Sequence, residues 1–145
     1  MKLKYGEQLA ACTKHRPCPS AQFAPISGPG FRFVHAPVTD ADFKPYDETR
    51  RDCVALGLSL YKSLTQAQDK YRSLAAANDD GGETARERYG DHIAEVILAP
   101  DDGVAGPPKN DGHFTFHQAE NARFAPRASN VVRCEYFDEL ERNAS

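Results

Sequence analysis

The sequence predicts an α+β domain: an antiparallel or mixed sheet of four to six strands with one main helix packed against it. Three observations carry that expectation. Short alternating or β-branched segments recur along the chain, at residues 31–35, 57–61, 92–98, 113–117 and 130–137. One longer stretch, residues 63–78, spaces its apolar residues by three and four instead. The chain has 145 residues, a common size for one domain built on a single core. The predicted layout is a loop-rich arm over residues 1–30, a core domain over 31–137 and a charged tail, helical or frayed, over 138–145.

The arm is punctuated by Pro17, Pro19, Pro25 and Pro29, with room for one helical turn around residues 6–12. Phe31-Arg32-Phe33-Val34-His35 alternates like a strand, and Pro37 ends it. Thr39 followed by Asp42 reads as a cap for a short helix or turn. In residues 57–61, Leu58 and Leu60 face one way while Ser59 and Tyr61 face the other. Ser63-Leu64-Thr65-Gln66 has the spacing of a capping box. The helix it opens aligns Leu64, Ala67, Tyr71, Leu74 and Ala75 in one stripe. A second, charged helix over 83–89 closes at Gly90. Residues 92–98 form the strongest strand, 103–112 an exposed loop, and 130–137 a last strand. Leu64, Tyr71, Leu74, Ile93, Ile97, Phe114 and Phe116 are the expected core.

Composition narrows the function. With 18 basic and 21 acidic residues, net charge is −3 and no basic block is visible, which disfavours nucleic acid as a partner. No apolar run approaches the roughly 18 residues of a membrane span. The first residues hold two lysines but no apolar segment of signal-peptide length. A cytoplasmic protein with four reduced thiols is the expectation. Cys12, His15 and Cys18 lie close together, but five residues separate the cysteines where zinc knuckles use two to four, so no metal site is assigned.

The strand His113-Phe114-Thr115-Phe116-His117 places its two phenylalanines on one face and three polar groups on the other. His113 and His117 are about 13 Å apart along it, too far to share a metal. If the polar face lines a pocket, burial should lower a histidine pKa while Glu120 would raise it. A two-histidine phosphoesterase is excluded, because only His113 is followed two residues later by Ser or Thr. There is no Gly-x-Ser-x-Gly elbow, and nothing marks Ser59 as activated. Gly28-Pro29-Gly30 puts a proline where a phosphate loop needs a donor.

One arrangement resembles small ADP-ribosyltransferase-like domains. Its elements are the strand 57–61, a helix carrying Ala67 and Tyr71 as Ala-x-x-x-Tyr, and Gln118-Ala119-Glu120 as Gln-x-Glu after a late strand. An opening-strand Arg or His would be Arg32 or His35. The resemblance covers residues 31–137 and implies a nicotinamide-nucleotide site, with NAD as cofactor or substrate and the domain catalytic or degenerate. Arg32 or His35 would hold pyrophosphate or ribose, and Tyr61 would stack on nicotinamide. Glu120 would bond the ribose and stabilise the charge left as nicotinamide departs. His113 is the second candidate catalytic group. Gly57-Leu58-Ser59 and Gly112-His113-Phe114-Thr115 also resemble segments of small bacterial proteins without an assigned activity. The alternative is a non-catalytic protein-interaction module, a subunit of a bacterial multi-protein system, which suits the near-neutral charge and incomplete catalytic set.

Overall fold

A computed structural model describes residues 1–12, 17–46 and 52–144. It is an α+β domain built on one six-stranded antiparallel sheet. The strands are β1 Gly28–Val34, β2 Leu58–Tyr61, β3 His92–Leu98, β4 Gly103–Ala105, β5 His113–Gln118 and β6 Ser129–Arg133, in the order β4-β5-β2-β1-β3-β6. Helices α1 Gly6–Ala10, α2 Leu64–Ala76, α3 Glu83–Tyr89 and α4 Glu135–Ala144 join them. No helix among the described residues is long and apolar enough to cross a membrane.

Alternation along the strands sends side chains into two cores. On one face Leu58, Leu60, Phe114 and Phe116 pack with Val34, Ala94, Val96 and Leu98 under Phe43 and Phe124. On the other, Phe33, Tyr61 and Ile93 meet Ala67, Tyr71 and Ala75 of α2 and Phe137 of α4. Each such side chain contributes on the order of 1.5–3 kcal/mol when fully buried. The α2 N-terminus is capped as its sequence suggests: Ser63 Oγ accepts from the Gln66 main-chain N–H at 3.1 Å. Tyr71, fully buried, donates its hydroxyl to Gly90 O at 2.6 Å. Gly90 has φ +84°, and a Cβ there would stand 2.1 Å from Val34 O, so only glycine lets α3 end against β1.

Several expectations are corrected. The loop 103–112 begins with strand β4, since Gly103 takes φ +153° where a Cβ would stand 2.2 Å from His117 O, so the edge strand can close on β5. The last strand stops at Arg133. Tyr136 and Phe137 have strand propensity but sit in α4, where they pack on Tyr71 at centroid distances of 6.5 and 5.8 Å. The charged tail over 138–144 is helical, of its two expected forms, and continues α4, which is tied to α2 where Arg72 donates to Glu135 and Glu139. Ile97 is 57% exposed, because α2 and α4 cover its face of β3 at Ile93 and not four residues further on. Leu64 and Leu74 are half-buried. Cys18 and Cys53 form a disulfide with Cα atoms 5.8 Å apart, so the expectation of four reduced thiols fails. The bond joins the arm to the segment that leads into β2, beside buried Leu9, Cys12 and Leu56. Cys134 is a buried thiol.

The sheet opens near its middle. β1 pairs along its whole length with β3 but shares only the row Phe31–Tyr61 with β2. Arg32 fills the opening.

Candidate functional site

Arg32 is 0% exposed. Its Nε donates to Asp42 O at 2.6 Å, its Nη1 to Ser59 O at 3.1 Å and its Nη2 to Lys44 O at 2.6 Å. Ser59 O lies on β2 where pairing with β1 is lost, and the Asp42 and Lys44 carbonyls belong to the turn after β1; Arg32 donates to all three. The guanidinium also lies 4.4 Å from the centroid of the Tyr46 ring. The residue expected to bind pyrophosphate instead staples the main chain beneath the cavities, with its planar fork committed to carbonyls.

Above the opening, β2 and β5 bring Tyr61 and His113 opposite one another. Their rings meet edge to face at 5.5 Å. Tyr61 also packs on Phe33 at 5.2 Å, and Tyr46 on Tyr89 at 4.9 Å. These rings wall a cavity of about 270 Å³, completed by Ser59, Leu74, Asp111 and the cations Lys70 and Lys109. His113 Nε2 is 3.1 Å from Ser59 Oγ. Asp111 accepts the His113 main-chain N–H at 3.0 Å and lies 3.9 Å from Lys70 Nζ. Burial lowers the His113 pKa, and Lys109 and Lys70 act in the same direction against Asp111. Burial likewise raises the pKa of the Tyr61 and Tyr46 hydroxyls. Tyr46 Oη is closed off from solvent and has no hydrogen-bond partner among the described residues.

A second cavity of about 200 Å³ adjoins the first and shares Phe33, Tyr46 and Tyr89 with it. His35, Asp42, Lys44 and Arg88 complete it. His35 Nδ1 lies 3.0 Å from Asp42 Oδ1 and its Nε2 3.3 Å from Glu87 O. Burial disfavours the charged ring, but the Asp42 bond and charge and the main-chain carbonyls outweigh it, and the His35 pKa is raised.

Of the residues expected from sequence, Tyr61 and His113 thus share one cavity. His35 and the inaccessible Arg32 border its neighbour. Glu120 joins neither: it is exposed, pairs with Lys2 at 3.5 Å and lies beyond the far end of β5. The five steps from His113 to Gln118 alone span about 17 Å of extended chain. It therefore has no part in setting the histidine pKa values. Sequence reasoning missed Tyr46, Tyr89, Lys70 and Lys109. Lys70 had a signal, standing three residues after Ala67 and four before Leu74 on the helix stripe. Tyr46 and Tyr89 had none.

His117, on the same face as His113, is 2% exposed and belongs to a different environment. Its ring stacks 5.1 Å from Phe23 and its Nε2 is 3.9 Å from Cys53 Sγ, while Nδ1 has no partner. Burial lowers its pKa to about 4. The unfolded ring titrates near 6.5 and so binds the proton more readily than the folded one. Stability is therefore unaffected above pH 6.5 and falls as pH drops from 6.5 to 4, by about 3 kcal/mol. Urea denaturation at pH 7 and pH 4 measures this, and the fall should be smaller in His117→Gln by that amount.

The two cavities together present aromatic rings flanked by cations. Cys18, one of three candidate zinc ligands, is spent in the disulfide, and His15 lies outside the described residues. Among the described residues no group of three His, Cys, Asp or Glu side chains is placed to hold a metal ion. Comparison of the chain with family models, curated proteins and solved structures gives no match.

Proposed function

We propose that the two adjoining cavities bind a nucleotide, with a nicotinamide nucleotide such as NAD as the specific candidate, in a degenerate ADP-ribosyltransferase-like domain. The observation that carries this reading is the shared wall of Phe33, Tyr46 and Tyr89, with cations on both sides of it. Flat rings receive a base or nicotinamide by stacking. Lys70 and Lys109 on one side, and Lys44, Arg88 and His35 on the other, suit phosphate. Arg32, the Ser59–Tyr61 segment and Gln118 lie on β1, β2 and β5, which are successive in the sheet. The position of Glu120 favours the degenerate over the catalytic form.

Calorimetry with NAD tests the proposal. Binding is expected, with Lys70→Ala and Lys109→Ala each weakening it about tenfold and added salt weakening it further. An absence of heat at millimolar NAD would overturn the reading. It would leave the protein-interaction module, for which the support is Ile97 and Val131, both exposed on the neighbouring strands β3 and β6. The Cys18–Cys53 disulfide favours an oxidising compartment over the cytoplasmic location expected from sequence.

A further inference from the structure

We propose that Ser59 and His113 are a nucleophile and its general base, and that the tyrosine-walled cavity cleaves carboxylic esters. The inference goes beyond nucleotide binding and does not require it. Ser59 Oγ and His113 Nε2 are 3.1 Å apart, and both side chains face the same cavity of about 270 Å³. That is the reach a base needs to take a hydroxyl proton. Ser59 is half-buried on β2, directly across from Thr115 on β5, and His113 is the polar residue two positions before Thr115. Register and alternation together bring the pair to one side of the sheet, a juxtaposition not visible in the separate motifs.

The surroundings suit acyl transfer. Partial burial keeps the imidazole neutral at neutral pH, so with the proton on Nδ1 the Nε2 lone pair accepts from Ser59. Asp111, whose carboxylate accepts the His113 main-chain N–H, supplies countercharge to the imidazolium that forms. Lys70 and Lys109 line the same cavity as Ser59 and supply positive charge that favours a developing oxyanion. The reaction balances with water alone. Ser59 Oγ attacks the acyl carbon as its proton passes to Nε2, and the carbon–alkoxy bond breaks as that proton passes to the leaving alcohol. Water then gives a proton to Nε2 and attacks the acyl-serine carbon. The acyl–Oγ bond breaks as that proton returns to Oγ, and the carboxylic acid leaves, losing its remaining proton to solvent. The rings of Tyr46, Tyr61 and Tyr89 fit a flat aromatic alcohol, and the lysines favour one bearing negative charge.

The competing account is a cross-strand hydrogen bond that merely ties β2 to β5. A fluorophosphonate probe on the full chain, with peptide mapping, separates the two. The expected adduct is on Ser59. It should be absent in Ser59→Ala and form about a hundredfold more slowly in His113→Gln. Hydrolysis of p-nitrophenyl acetate should depend on Ser59. It should rise with pH through a midpoint below that of a free imidazole, set by burial with Lys109, Lys70 and Asp111. A folded wild-type chain without an adduct on Ser59, or equal rates in His113→Gln, would overturn the proposal. NAD binding without labelling removes the dyad alone; labelling without NAD binding removes the nucleotide reading alone.

Discussion

Arg32→Met is expected to cost about 3–4 kcal/mol of folding stability, read as a lowered urea midpoint at pH 7. The methionine replaces much of the stem volume, so a cavity is a minor part of the effect. The carbonyls of Asp42, Ser59 and Lys44 lose their donor together. A buried acceptor left bare costs about 1–3 kcal/mol, in full for Asp42 O and in part for the part-buried Ser59 and Lys44 carbonyls. Stability of a domain this size is about 5–15 kcal/mol, so the variant should sit near the edge of folding. Arg32→Lys should recover little, since one ammonium cannot serve three carbonyls in a fixed fan. A loss under about 1 kcal/mol would mean that water reaches these carbonyls and that Arg32 is not the staple.

Cys53→Ser should be nearly as costly. The bond to Cys18 closes a loop with a sequence separation of 35. Cross-linking a loop of that length removes enough freedom from the unfolded chain to contribute about 4 kcal/mol. Thermal melts of the oxidised chain and of the serine variant should differ by roughly 10 °C. Equal melting temperatures would show that the native contacts of Leu9, Cys12 and Leu56 hold this corner without the bond.

Legibility from sequence followed the range of the forces involved. Residues 83–89 and 92–98 could be read to their boundaries, because a glycine stop and a β-branched run are local signals. β4 could not, because its three residues pair only through a glycine that permits close approach. Residues 135–137 went to helix because tertiary packing of Phe137 outweighed strand propensity. Alternation correctly set Phe114 and Phe116 in one core and His113 on the other face. It could not supply the register that sets Tyr61 opposite His113 and brings Ser59 within reach. Glu120 was grouped with His113 by nearness in sequence, which along a strand means distance in space. An arginine on a strand reads the same whether it holds an anion or three carbonyls, and only the opening between β1 and β2 decides which.

The strand order has a kinetic consequence. The long pairings join Phe31 to Glu95 and Leu58 to Phe116. These are separations of about 60 residues, so loop closure must precede the reward of either contact, and folding belongs to the slow, high-contact-order class. During synthesis β1 waits for β3, and β2 waits for β5. Until residues past 110 emerge, Leu58 and Leu60 have no sheet partner to cover them. Their hydrophobic edge is then open to other chains, and chaperone demand should be highest in that interval.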